Sequence, residues 1–297
     1  MKKQAYLVLA HKNDFTFHHL LQALDDVRND IFIHMDKKTN QGYSEEEIRN
    51  LVKKSNVYFT KRIDVHWASV HQIEAEMELL KLSTQTNSYM YYHLISGEDF
   101  PVKSQSEIYN FFKNNQGKEF VAFDSEKFNE KLYGNRVYQY HIVQNIWDRR
   151  KPLLFKFYRK IDKLLGNIQN LMGIRRNKNI QFQKGANWFS ITDGFARYIV
   201  SKENWIYKTF KKTCFTDEMF VQTLLVNSVF KDNLYYKGFD NNYISIVRYI
   251  DWNRGGPYVF RLEDYQELIS SNFMFARKFD CKIDKNIILK LESHIKE

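Results

Sequence analysis

Cysteine, proline and glycine are all scarce in this chain. Of its 297 residues only 2 are cysteine, 3 proline and 11 glycine. The two cysteines, Cys214 and Cys281, stand far apart and outside any metal-ligand spacing, so a disulfide framework and a zinc module are both excluded and a reducing compartment is expected. So few glycines and prolines exclude low-complexity linkers. No stretch approaches the ~20 apolar residues of a membrane span. The N-terminal run M-K-K-Q-A-Y-L-V-L-A-H is cut short by His11, Lys12 and Asp14, which is too brief for a secretory leader and reads as a first strand. The expected location is therefore cytoplasmic.

Aromatic residues and positive charge are abundant. There are 24 Phe and 19 Tyr, and hydrophobic residues make up 43% of the chain, enough for a sizeable core. Net charge is +10. Such a balance suits phosphates, anionic lipid or nucleic acid, and does not choose among them. No RNA-recognition, zinc-finger or helix-turn-helix pattern is present, so nucleic acid is not an expected partner.

The first hundred residues alternate in type. Strands are predicted at Gln4–Ala10, Asp30–Met35, Val57–Thr60 and Tyr89–Ile95, and helices at Phe15–Val27, Glu45–Lys53, Ser69–Leu82 and Glu107–Lys113. This order predicts an α/β fold with a mostly parallel, doubly wound sheet flanked by helices. Ligands of such sheets sit beyond the carboxyl ends of the strands, a rim that here carries His11, Asp36, Lys61, Arg62, Glu98 and Asp99. Later segments read as strands at Glu119–Phe123, Ile244–Ile250, Tyr258–Arg261 and Met274–Phe279. Helices are expected at Phe195–Val200, Glu218–Val229 and Lys285–Ile295, with Thr216 or Asp217 capping the second. No internal repeat or linker is evident. One domain is expected over 1–297, with a nucleotide-binding half at 1–125 and a catalytic and acceptor half at 126–297.

Two segments stand out chemically. Arg248, Arg254, Arg277 and Lys278 cluster around short apolar runs, with the acidic pair Asp217–Glu218 upstream. Arginine forks and lysine point charges match phosphate oxygens, and a nearby carboxylate suits a general base. A strand flanked by charge on its solvated side would look the same. The second segment, 149–178, is a helical stretch with Leu153, Leu154, Phe157, Ile161, Leu164, Leu165, Ile168 and Leu171 apolar, beside Arg149, Arg150, Lys151, Lys156, Arg159, Lys160, Lys163, Arg175, Arg176 and Lys178. It either packs its apolar stripe on the body of the protein or lies on an anionic membrane.

Six motifs now fall in a recognisable order: I-F-I-H-M-D-K-K (31–38), R-I-D-V-H-W-A-S (62–69), Y-Y-H-L-I-S-G-E-D-F-P-V-K-S (91–104), G-A-N-W-F-S-I-T (185–192), T-D-E-M-F-V-Q-T-L-L (216–225) and M-F-A-R-K-F-D (274–280). Together they resemble the Core-2/I-branching β-1,6-N-acetylglucosaminyltransferase family, which also holds the peptide O-xylosyltransferases. The resemblance implies a GT-A-type α/β domain and inverting transfer from a UDP-sugar to a glycan hydroxyl, with no metal or other cofactor. It implies Glu218 as general base, Arg277 and Lys278 on the diphosphate with Arg254 and Arg248 as further cations, and Asp36 on the uridine. His11, Arg62 and Trp67 would lie near the nucleotide.

Glu98 and Asp99 stand where metal-using relatives of the fold carry D-x-D, and they could meet the sugar instead. The chain has no D-x-D, and its single D-x-E is Asp124-Ser125-Glu126. Trp188 and Trp252 either stack on a sugar ring or fill the core. Animal members carry a membrane anchor and disulfides. This sequence shows neither, so it resembles a bacterial cytoplasmic member building surface polysaccharide, with GlcNAc or xylose as the sugar. The acceptor would then be a lipid-linked glycan met at the inner face of the plasma membrane. A metal-dependent transferase using Glu98-Asp99 or Asp124/Glu126, and a basic nucleic-acid or anionic-surface binding protein without catalysis, are the alternatives.

Overall fold

The structure, a computed structural model, describes residues 2–39, 42–147 and 151–296. Its elements run β1 (Gln4–Ala10), α1 (Phe15–Leu24), β2 (Asn29–Met35), α2 (Glu45–Asn50), β3 (Asn56–Phe59), α3 (His71–Thr86), β4 (Tyr91–Ser96), β5 (Asp99–Pro101), α4 (Gln105–Asn114), β6 (Phe120–Val121), α5 (Glu130–Tyr138), α6 (Pro152–Leu171), β7 (Phe189–Thr192), α7 (Asp193–Ser201), α8 (Glu203–Phe210), α9 (Phe220–Val226), β8 (Arg248–Ile250), α10 (Tyr265–Ser270), β9 (Phe275–Arg277) and α11 (Asn286–Lys296). A six-stranded sheet has the order β3-β2-β1-β4-β7-β6. Its first four strands are parallel, and β7 runs antiparallel to both β4 and β6.

The central strands are buried on both faces, so they read as near-continuous apolar runs. Alternation along β1 divides the core in two. Tyr6, Val8 and Ala10 face Phe17, Leu20, Ile108 and Leu291 of α1, α4 and α11. Ala5 and Leu7 face Ile73, Met77, Ile199 and Leu224 of α3, α7 and α9. Local chemistry starts the helices. Asp14 accepts the Phe17 N–H at 3.1 Å, Ser104 forms a capping box with Glu107, and Thr192 caps α7.

A second sheet, in the order β5-β9-β8, stands just beyond the end of β4. Its register sets Asp99 opposite Arg277.

Several expected elements differ. Ile244–Ile250 is not one strand: a single 3-10 turn over Tyr243–Ile246 precedes β8, and Val247 between them takes φ 48°. Tyr258–Arg261 is irregular, and the strand expected at 119–123 shrinks to β6. Helices α5, α8 and α10 were not legible. Neither Thr216 nor Asp217 caps α9, which starts after Met219 with no side-chain cap. Helix α6 covers the middle of 149–178, and Arg149 and Arg150 lie outside the described residues. Among the described residues no helix is long and apolar enough to cross a membrane.

Candidate active site

A cavity of about 570 Å³ opens at the carboxyl ends of β1, β2 and β4. His11, Asp36 and Glu98 line it, each one or two residues beyond its strand, as expected of a parallel sheet. Asp36 is nearly buried and accepts the Lys38 N–H at 2.9 Å, with Lys38 Nζ 3.3 Å away. Arg62 does not line the cavity. Its guanidinium donates to the carbonyls of Met35, Asp36, Lys37 and Thr39 and stacks on Tyr43 at 4.3 Å, so it fixes the turn that carries Asp36.

One end of the cavity is cationic. Glu98 is buried and accepts from Lys12 Nζ at 2.6 Å and Lys278 Nζ at 2.9 Å, with Arg277 Nη2 at 4.0 Å. Burial would push this carboxyl up, but the hydrogen bonds from Lys12 and Lys278 outweigh it and hold it below the usual range. His11 is pulled down by burial despite Glu98 nearby, so it is neutral at pH 7. Arg277 donates to Asp99 Oδ1 at 2.7 Å and to Ser96 Oγ, and lies over the Trp188 ring at 4.7 Å. Asp99 is fully buried and also accepts from Ser96 N at 3.0 Å. It therefore aims Arg277 and does not itself meet the cavity.

Arg254 is not brought to this cluster, and Arg248 reaches it only from the buried side, with Nη1 3.9 Å from Asp99 Oδ2, contrary to the expectation that both would meet the phosphates. Arg248 has no exposed surface. Its Nη2 donates to the Leu94 and Phe189 carbonyls at 2.6 and 3.2 Å, tying the small sheet to the β4–β7 pair. Burial pulls its pKa down to about 10 against the pull of Asp99. Arg254 pairs with Asp251, Asp264 and Glu267 and stacks on Tyr258, which braces its own loop.

The other end is built on Glu218, whose side chain is 38% exposed and lines the cavity. Lys184 Nζ approaches it at 3.3 Å and Arg136 Nη1 at 3.4 Å, and Lys184 also reaches Asp124 at 2.7 Å. The turn is closed by Gly185, whose N–H donates to the Glu218 carbonyl at 3.0 Å. A Cβ on Gly185 would come within 1.8 Å of the Ala122 carbonyl oxygen, so only glycine fits. Behind Glu218, buried Asp217 accepts from Gln72 Nε2 at 2.7 Å. Burial and the neighbouring Glu218 raise its pKa to about 7. Glu76, wholly buried in the cavity wall, has no hydrogen-bond partner on either oxygen, and burial with Asp217 nearby raises it well above the carboxylate range. Trp188 and Trp252 both line the cavity, and Trp252 is 51% exposed, so it is no core residue.

A half-exposed carboxylate and a cation cluster thus share one cleft. A family model described as Core-2/I-branching enzyme matches residues 4–270. The chain belongs to this family. It is a family of glycosyltransferases, and with it stands the GT-A-type fold that the sequence implied. Among curated proteins, the chain is 25% identical over 285 residues to xylosyltransferase sqv-6 of Caenorhabditis briggsae, covering 88% of this chain and 32% of that protein. It is 23% identical over 313 residues to xylosyltransferase 2 of Rattus norvegicus, covering 98% and 33%. The chain spans about a third of the length of these relatives. Among solved structures, apo mouse xyloside xylosyltransferase 1 aligns over 94% of this chain and 98% of that one at 10% identity, with a TM-score of 0.38, too low to carry an argument.

In this Core-2/I-branching family member several residues that line the cavity, or pair with those that do, were not legible as such in the sequence. Lys12 sits beside His11 at the same strand end, so the position on the rim that marks His11 marks it equally. Glu76 had a signal as well. It falls between Ile73 and Leu80 on the apolar stripe of α3, where an acid is out of place. Lys184, Arg136 and Gln72 had none, because their partners lie 34, 82 and 145 residues away in the chain.

Proposed function

We propose that this Core-2/I-branching family member is an inverting, metal-independent glycosyltransferase that moves a sugar from UDP to a hydroxyl of a glycan acceptor. The observation that carries the proposal is the shared cavity, with Glu218 exposed at one end and Arg277 and Glu98 at the other, where Lys12 and Lys278 are held against Glu98. Glu218 takes the proton of the acceptor hydroxyl as that oxygen attacks the anomeric carbon. The bond from that carbon to the β-phosphate oxygen breaks on the opposite face, and UDP leaves with the electron pair. Arg277 and Lys278 offset the charge that develops on it, the task a metal performs elsewhere. Asp36 meets the uridine, and Trp188 and Trp252 flank the sugars.

Xylose or GlcNAc is the proposed sugar. Xylose is favoured by the names of the relatives, GlcNAc by the family resemblance. The proposed setting is cytoplasmic, in bacterial surface polysaccharide synthesis, with a lipid-linked glycan as acceptor. A metal-dependent reading is less well supported. Three of the four acids it would use are already engaged: Glu98 by Lys12 and Lys278, Asp99 by Arg277, and Asp124 by Lys184.

The test is UDP release from a panel of UDP-sugars, with EDTA or with manganese. Release from one sugar in EDTA is expected. Release only with manganese favours the metal-dependent reading, and no binding of UDP under either condition removes the proposal.

A further inference from the structure

Helix α6 is turned inside out. Leu153 is 83% exposed, Phe157 57%, Leu164 59% and Leu171 89%, with Leu154, Ile168 and Met172 also exposed. Its buried residues are Asp162, Gly166 and Gln169. At 100° per residue the apolar side chains form one continuous face, and the buried polar ones lie on the side turned away from it.

Polar contacts hold this orientation. Asp162 accepts from His141 Nδ1 at 2.7 Å, and His141 Nε2 donates to the Asn135 carbonyl at 2.8 Å. Both ring nitrogens donate, so the imidazole is an imidazolium. Burial works against that charge, but Asp162 and Cys214 raise its pKa to about 10. Gln169 exchanges two hydrogen bonds with the Tyr140 backbone, at 2.7 and 3.0 Å. Gln139 donates to Asn170 Oδ1 at 2.8 Å, and a Cβ on Gly166 would come within 2.7 Å of Gln139 Oε1. Rolling the helix to bury its leucines would strand a buried charge pair and these amides. The segment 139–147 alongside adds Ile142 and Ile146 to the exposed apolar surface.

An apolar face of this extent on a soluble domain marks an interaction site. Lysines identify the occupant. Lys156, Lys160 and Lys163, all exposed, form a basic flank along one side of the apolar face. A second copy docking with its α6 antiparallel about a two-fold axis would bring cationic flanks together, whereas an anionic bilayer takes both the leucines and the lysines.

We propose that the outward face of α6 docks the protein on an anionic lipid bilayer, lying in the interface without crossing it. The docked helix adjoins the candidate active site. A groove along its basic flank is lined by Lys160, Lys163 and Arg136, and Arg136 also reaches Glu218. An acceptor anchored in that bilayer would be presented close to the base.

The test is co-sedimentation of the whole protein with vesicles, which needs no donor or acceptor and so stands or falls apart from the proposed catalysis. Vesicles of phosphatidylglycerol and phosphatidylcholine are expected to bind the protein at low salt, at least roughly tenfold better than phosphatidylcholine alone, and to release it at high salt. The combined substitution Leu153→Ser, Phe157→Ser, Leu164→Ser and Leu171→Ser should abolish binding. Because these side chains are exposed, the melting temperature should not change. Lys156→Gln with Lys160→Gln and Lys163→Gln should weaken binding by roughly a hundredfold. The proposal fails if the wild type ignores anionic vesicles at low salt, binds neutral ones equally, or binds unchanged after the serine substitutions. It fails equally if the serine variant instead converts a dimer to a monomer, which would assign the face to a second copy.

Discussion

The two ends of the cavity solve opposite electrostatic problems. At the Glu98 end one buried carboxylate holds Lys12 and Lys278, and a second, Asp99, holds Arg277. Charge there is paired in advance, and the cations are poised to exchange part of that pairing for a phosphate. At the Glu218 end acids outnumber what supports them. Glu218 shares two cations at 3.3 and 3.4 Å, Asp217 has one amide, and Glu76 has nothing. Carboxylates with good partners sit low in pKa, and buried ones without partners sit high. A site that stabilises a leaving diphosphate and also accepts a proton needs cations at one end and a carboxylate at the other.

The largest expected effect comes from removing the proton acceptor. Glu218→Gln should keep UDP affinity and lower turnover on the order of 10²–10⁴-fold. Turnover near wild type would take the base role away from Glu218 and leave the two ends without their contrast.

At the cationic end, Lys278→Ala should weaken UDP roughly 10- to 100-fold while leaving uridine binding nearly unchanged, because the lost contact is with phosphate. Asp36→Ala should weaken both ligands alike. Calorimetry with the two ligands decides, and equal losses in Lys278→Ala would make that residue a structural partner of Glu98.

Smaller effects concern stability. Asp217 has its pKa raised to about 7 in the folded protein, so its contribution is full below the unfolded value near 4 and is lost as pH rises through 7. Urea unfolding at about pH 5 and about pH 8 should therefore show the wild type losing stability with rising pH, by an amount on the order of 1–3 kcal/mol that Asp217→Asn largely removes. An unchanged pH dependence in the variant would mean that Asp217 is solvated. The smallest effect on UDP affinity is expected for Arg254→Gln. It should leave that affinity as it was, while stability falls because the buried carboxylates of Asp251 and Asp264 lose their cation. A loss of UDP affinity would return Arg254 to the phosphate cluster.

Much of the cationic end was legible in the sequence. His11, Asp36 and Glu98 follow buried strands, and strand order in a parallel sheet brings such positions to one rim. Glu218 was legible through its motif, and Arg277 and Lys278 through theirs. Arg248 misled because its neighbours in sequence are those of a binding loop. Its neighbours in space are two main-chain carbonyls at the join of the two sheets.

Helix α6 marks the limit most clearly. Periodicity in 149–178 establishes that the helix has an apolar face, since spacing of 3.6 residues is a local property. It carries no information on which face meets the protein. That was decided by His141, Tyr140 and Gln139, which approach from a segment 21 to 31 residues away and pair with Asp162, Gln169 and Asn170. The sequence by itself determined the alternating strands and helices of the first hundred residues, the helix within 149–178 and the polarity of their faces, because these depend on neighbours along the chain. Which charge pairs with which, which arginine is buried and which side of α6 is left to solvent were decided only by tertiary structure. Those outcomes depend on desolvation and hydrogen-bond satisfaction among groups that meet only once the chain is folded.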